Sequence, residues 1–252
     1  MRSRKTKFIP VTLSLADMAG SDYADAVVSA RAARTGEPKR ALTALARRRI
    51  EFFPAAIQKR LLEMLEKVGR PVSRPLGLSA HGAGSHGFFS ATKSAHAPLS
   101  GFGYYRVGEN GRLYFIAKSE HYHASLGHSF PGYRLIDVAR QLGIPNPTHN
   151  NTRGHITRLL EGELVRAAAG IGQNDDDALV RLLHAKKPAT PNRVLNLETG
   201  SLAAEAALKM VLARFYKPQP DSPGPKYRGR VPVLVVIGDY EGGIQANYHG
   251  TT

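Results

Sequence analysis

One pattern restricts the fold of this chain more than any other. A short apolar segment, Val194-Leu195-Asn196-Leu197, runs into a Thr199-Gly200-Ser201 turn. Strong helix formers follow, and a second apolar segment, Val233-Leu234-Val235-Val236-Ile237, comes after a Pro/Gly loop at 217–230. Strand 193–197, helix 201–216 and strand 231–237 within about 45 residues is the spacing of a βαβ crossover in a parallel sheet. The second strand is apolar throughout, as expected when both faces are covered. The expected class is α/β with a mainly parallel sheet. A helix opening at Gly200 presents unpaired N–H groups and a positive dipole end above the first strand, which suits a phosphate. Gly200 admits close approach of an anion, and Ser201 offers a hydroxyl as well as an amide. Leu208, Leu212 and Phe215 recur at helical spacing and would bury one face. Taken alone, these residues favour an ordinary strand–turn–helix crossover with nothing bound, because one Gly-Ser turn is a weak signal.

Length and composition bound the rest. The 252 residues suffice for one large domain or two small ones. No apolar run is long enough to span a membrane, and the basic start lacks the apolar core of a signal peptide, so a soluble, cytoplasmic protein is expected. The absence of Cys excludes disulfides, thiolate metal sites and a Cys nucleophile. The formal charge is +15, and residues 1–75 hold 16 Lys/Arg against 7 Asp/Glu. Such a balance can serve nucleic acid. However, Arg47-Arg48-Arg49 is the only basic run of arginines, and aromatic interleaving is sparse. A solvated basic face is the simpler reading.

Along the chain, residues 1–75 read as a basic helical extension. A helix over 14–34 opens with a Ser14/Asp17 capping box and stops at Gly36-Glu37-Pro38. A second, over 39–68, is interrupted at Pro54; it carries an apolar stripe of Leu61, Leu62, Leu65 and Val68 and a Glu63–Lys67 pair. Residues 76–100 form a Gly/Ser/His-rich linker or ordered loop. In 101–150, Tyr104–Val107 and Leu113–Ile116 flank an Asn110-Gly111 turn, a hairpin signal, and a helix follows at 133–142. Residues 151–252 begin with helices at 153–169 and from Asn174, the latter with acids first and Lys186-Lys187 last.

Several of these segments are similar to class III pyridoxal-phosphate (PLP) aminotransferases. In the phosphate-binding motif N-S-G-[ST]-E-A-x-E-x-A-x-K, Thr199, Gly200, Ser201, Ala203, Glu205, Ala207 and Lys209 fall in register, while Leu202 replaces a Glu. Asn110-Gly111-Arg112-Leu113-Tyr114 resembles the family's early hairpin, and Leu126-Gly127-His128-Ser129-Phe130-Pro131 its L-G-H-x-x-P turn. Tyr248-His249-Gly250-Thr251 resembles the aromatic-His-Gly-Arg-Thr element whose ring stacks on the cofactor, with Thr251 in place of Arg. Spacing from the strand favours Tyr240 for that ring, motif identity Tyr248.

The resemblance covers about residue 98 onward. It implies a partial fold-type-I PLP-transferase large domain and amino transfer between an amine or amino acid and an oxo-acid. PLP would be held by Thr199, Gly200, Ser201 and Tyr248, in a homodimer. The family's pyridine-binding carboxylate and anchoring Lys lie beyond its aromatic-His-Gly element, and no Lys follows Lys226 here. The expectation is therefore an N-terminal part of such an enzyme, truncated and inactive alone, with no catalytic residue of its own. The same fold hosts racemases and mutases. The alternative is a non-enzymatic basic helical protein that binds nucleic acid or an acidic partner. Neither a metal site at His121, His123 and His128 nor a role for Asn151 or Arg153 at a substrate opening is favoured over turn and capping roles.

Overall fold

The computed structural model describes residues 7–116, 126–145, 153–187 and 190–233. The chain divides into two units, residues 1–145 and 146–252.

The first unit is built on a helical core. Strand β1 (Val11–Leu13) leads into helix α1 (Leu15–Ala19) and helix α2 (Ser21–Thr35). The capping box forms: Ser14 Oγ accepts the Asp17 N–H at 3.1 Å, and the Asp17 carboxylate accepts the Ser14 N–H at 2.9 Å. The single helix expected over 14–34 is broken at Gly20, whose φ of 91° is a conformation glycine takes readily. Helix α3 (Lys39–Ala46) follows the Gly36 stop. The helix expected over 39–68 then gives way to strand β2 (Ile50–Phe53), which pairs antiparallel with β1, before helix α4 (Ala55–Leu65). Ile50, Phe52 and Phe53 favour a strand, and Pro54 caps the helix behind it instead of interrupting it.

Glu63 pairs with Lys59 at 3.8 Å and Arg60 at 3.3 Å rather than with Lys67. The stripe on α4 is not a buried packing face: Leu62 and Leu65 are half exposed.

After helix α5 (His86–Ala91), a three-stranded antiparallel sheet forms from β3 (Pro98–Phe102), β4 (Tyr105–Gly108) and β5 (Leu113–Phe115). The Asn110-Gly111 turn sits where the sequence places it, and Tyr105 pairs with Phe115. The third strand comes from the end of the expected linker. Residues 69–76 are also ordered: the N–H groups of Gly69, Val72 and Leu76 donate to carbonyls of Leu113, Gly111 and Glu109.

Helix α6 (Arg134–Leu142) closes this unit. Its Leu135, Val138 and Leu142 are buried against Leu15 and Ala19 of α1, Ala24 and Val28 of α2 and Leu42 of α3. The spacing is that of one helical face. Its end is a Schellman-type cap, with Ile144 N–H on the Ala139 carbonyl and Gly143 N–H on that of Arg140, both at 2.9 Å.

The second unit contains helices α7 (His155–Ala168), α8 (Asp176–Leu183) and α9 (Gly200–Leu212). Arg166 of α7 is 6% exposed and ties the first two together. Its guanidinium bonds the Asp176 and Glu163 carboxylates and the carbonyls of Gly172 (2.8 Å) and Asp175 (3.3 Å). The Asp176 hydrogen bond foremost, with Glu163 behind it, raises the pKa of this guanidinium.

The strand expected at 193–197 does not form. Asn192 and Arg193 instead cap α8: Asn192 Nδ2 donates to the carbonyls of Leu182 (2.8 Å) and Ala185 (2.9 Å), and Arg193 Nη1 to that of Leu183 (2.7 Å). These are carbonyls that the end of a helix leaves without intrahelical partners. Residues 231–233 form no strand either, and 234–237 lie outside the described residues. The fold mixes helices and strands, and every described ladder is antiparallel. No helix among the described residues is long and apolar enough to cross a membrane.

Two consequences are measurable. Leu142→Ala is expected to lower the unfolding free energy of residues 1–145 by about 3 kcal/mol in urea denaturation, through lost burial and a residual cavity. The Ser14 backbone hydrogen bond, then the Ser14 hydroxyl and the Arg49 charge, hold the Asp17 carboxyl below its usual pKa. A depressed folded pKa stabilises above the unfolded value. The stability advantage of the wild type over Asp17→Asn should therefore be full above about pH 4 and disappear as pH falls through the folded midpoint, as followed by thermal unfolding.

Candidate functional site

The sequence directs attention to the start of α9. Thr199 is extended (φ −141°, ψ 157°) and caps the helix, its Oγ1 accepting the Leu202 N–H at 3.1 Å. Its carbonyl accepts the Ala203 N–H at 3.0 Å. The N–H groups of Gly200 and Ser201 then have no partner among the described residues. Both belong to the orphan donors of a first helical turn and carry its partial positive charge.

The surroundings are open. Thr199, Gly200 and Ser201 are exposed, and a Cβ added at Gly200 would meet nothing within 4 Å. Gly200 has no left-handed dihedral. Neither conformation nor crowding therefore requires glycine here; what it provides is room for a group approaching from outside. No residue of α9 is buried, and Leu202, Met210 and Val211 are 41%, 58% and 52% exposed. Lys209 lies about 13 Å farther along the axis and pairs with Glu205 at 2.7 Å, so it does not serve the helix start. The site is thus a pair of aligned amides and a hydroxyl on an exposed helix end, able to bind an oxyanion by hydrogen bonding and dipole.

Tyr248 and its competitor Tyr240 lie outside the described residues, as do His121, His123 and Asn151. The structure therefore brings together Thr199, Gly200 and Ser201 and does not relate Tyr248 to them. Arg153 pairs with Glu161 at 3.2 Å within the second unit.

His128 belongs to a tightly packed turn. It and Gly103 exchange N–H···O bonds of 2.8 Å in both directions. A Cβ at Gly127 would stand 2.7 Å from the Gly103 backbone, which explains the glycine before the histidine. Phe130 then packs edge-on against Phe52, with ring centres 5.1 Å apart. Next to this turn an apolar cavity of about 210 Å³ is lined by Phe52, Phe53, Leu61, Phe102, Tyr104 and Phe130. The sequence reading missed it, because its walls come from α4, β2, β3 and the turn, which are far apart along the chain. Among the described residues no three His, Asp or Glu side chains gather as metal ligands do.

Comparison with known proteins finds no family model, no curated protein and no solved structure that matches this chain.

Proposed function

We propose that this chain carries the phosphate-binding part of a pyridoxal-phosphate-dependent enzyme of the class III aminotransferase type. Such an enzyme moves an amino group between an amine or amino acid and an oxo-acid, in a homodimer on a fold-type-I plan with a parallel sheet. The observation that carries the reading is the start of α9. Two of the residues in register with the family's phosphate-binding motif, Gly200 and Ser201, have backbone N–H groups with no partner among the described residues.

The fit to the cofactor is to its phosphate. A phosphate monoester takes hydrogen bonds from Gly200 N–H, Ser201 N–H and the Ser201 hydroxyl, and its charge meets the positive end of the α9 dipole. Thr199 holds the helix start in shape by occupying the Leu202 amide, which leaves the Gly200 and Ser201 N–H groups as the donors of the first turn without a partner among the described residues. When bound, PLP supplies the electron sink for carbanion chemistry. The role assigned to Thr199, Gly200 and Ser201 is binding and orientation.

The second reading, a basic protein that binds nucleic acid or an acidic partner, rests on charge. Residues 1–145 hold 22 Lys/Arg against 10 Asp/Glu, and residues 146–252 hold 13 against 10. In the one arginine run, however, Arg47 and Arg49 are paired with Asp25 and Asp17.

Equilibrium dialysis of the full chain against PLP and against pyridoxal, which lacks the phosphate, tests the first reading. PLP should bind more tightly than pyridoxal. Gly200→Asp, which sets a carboxylate at the anion's position, should weaken PLP by about tenfold or more and leave pyridoxal unchanged. Equal retention of PLP by the variant would show that the phosphate sits elsewhere.

A further inference from the structure

In the first unit, the residues leading into β2 and the outer face of α6 enclose an open groove of about 530 Å³. Arg48, Arg49 and Glu51 line it from one side, Arg134, Asp137 and Gln141 from the other. Part of this charge is already engaged elsewhere. Arg49 donates to Asp17 at 3.1 Å and to the Thr12 carbonyl at 2.6 Å, and Asp137 pairs with Arg140 at 3.6 Å. Arg48 and Arg134 differ from Arg47, Arg49 and Arg140 beside them: they have no partner among the described residues, and both face the same groove.

We propose that this groove binds a small molecule with two anionic groups, each a carboxylate or a phosphate, taken separately by Arg48 and Arg134. The guanidinium fork matches either oxyanion in a bidentate fashion. The two forks stand on fixed backbone. Arg134 precedes Leu135, and Arg48 lies two residues before Ile50; both Leu135 and Ile50 are buried in the core. The spacing of the two backbone positions is thus set before a ligand arrives, and only the side chains are ordered on binding.

The groove has the volume of a small-molecule site. Its charge also speaks against a polyanion. Glu51 has no partner among the described residues and lines the groove beside Asp137. A nucleic-acid backbone laid along the groove would meet those carboxylates, whereas a compact molecule with two anionic groups spans the two guanidiniums and leaves the Glu51 side to water or to a donor group of the ligand. The surplus of positive charge in residues 1–145 favours the approach of any anion. The site is built from residues of the first unit alone and owes nothing to the PLP reading.

The test is isothermal titration of the full chain at low ionic strength with pyrophosphate and with succinate, the two probes standing for the phosphate and carboxylate sources. Saturable one-to-one binding of at least one probe is expected. Arg48→Ala and Arg134→Ala should each weaken it by about tenfold. Both arginine side chains are exposed and have no partner among the described residues, so the variants should keep the wild-type thermal midpoint, and Arg→Lys at either position should recover only part of the affinity. Absence of saturable binding by both probes would overturn the proposal, as would binding indifferent to both alanine variants. Tight binding of a single-stranded oligonucleotide, lost in the double variant while neither small probe binds, would overturn it in favour of a nucleic-acid surface.

Discussion

The first unit depends on the burial of one face of α6. Leu135, Val138 and Leu142 fill the space between α1, α2 and α3, and Val138 is fully buried. The partners lie roughly a hundred residues apart along the chain. Loop-closure entropy grows only slowly with that separation, whereas each fully buried aliphatic side chain returns about 1.5–3 kcal/mol. Closure by α6 is therefore favourable despite its distance. It also determines what surrounds it: the turn ahead of the helix brings Phe130 onto Phe52, and the outer face of the helix brings Arg134 opposite Arg48. The aromatic cavity and the charged groove both follow from one hydrophobic seam.

The second unit is organised by polar interactions instead. Arg166 satisfies the loop carbonyls and acidic first turn between α7 and α8, and Asn192 with Arg193 satisfies the carbonyls at the end of α8. A buried guanidinium is tolerated because several acceptors share its charge. α9 has no comparable support from a core, since none of its residues is buried. Its stability rests on good helix formers such as Ala and Leu and on the Thr199 cap, and its first two amides have no partner among the described residues.

What was legible in the sequence was local. The Ser14/Asp17 capping box, the Asn110-Gly111 hairpin turn, the stop after Thr35 and the opening of α9 at Thr199 each depend on residues within a few positions, and each forms as the side-chain chemistry requires. Features decided by distant partners were not legible. Ile50–Phe53 continued a helical reading until β1 supplied a strand to pair with. Val194–Leu197 looked like a strand because it is apolar, but Asn192 and Arg193 draw the chain onto the end of α8. Arg48 and Arg134 are unremarkable in sequence, since neither shows that the other faces it. Of the proposed PLP ligands, the three at the helix start could be located from turn chemistry, and the fourth, Tyr248, lies outside the described residues.

The central functional claim is that the α9 start receives a phosphate through the Gly200 and Ser201 amides. Amide proton–nitrogen correlation spectra of the full chain, recorded as PLP is added, test it most directly. The account predicts that the Gly200 and Ser201 resonances shift progressively and saturate together, the direct mark of new hydrogen bonds at those N–H groups. If those two signals stay in place while others move, the phosphate does not bind at this helix and the aminotransferase reading loses its support in the structure.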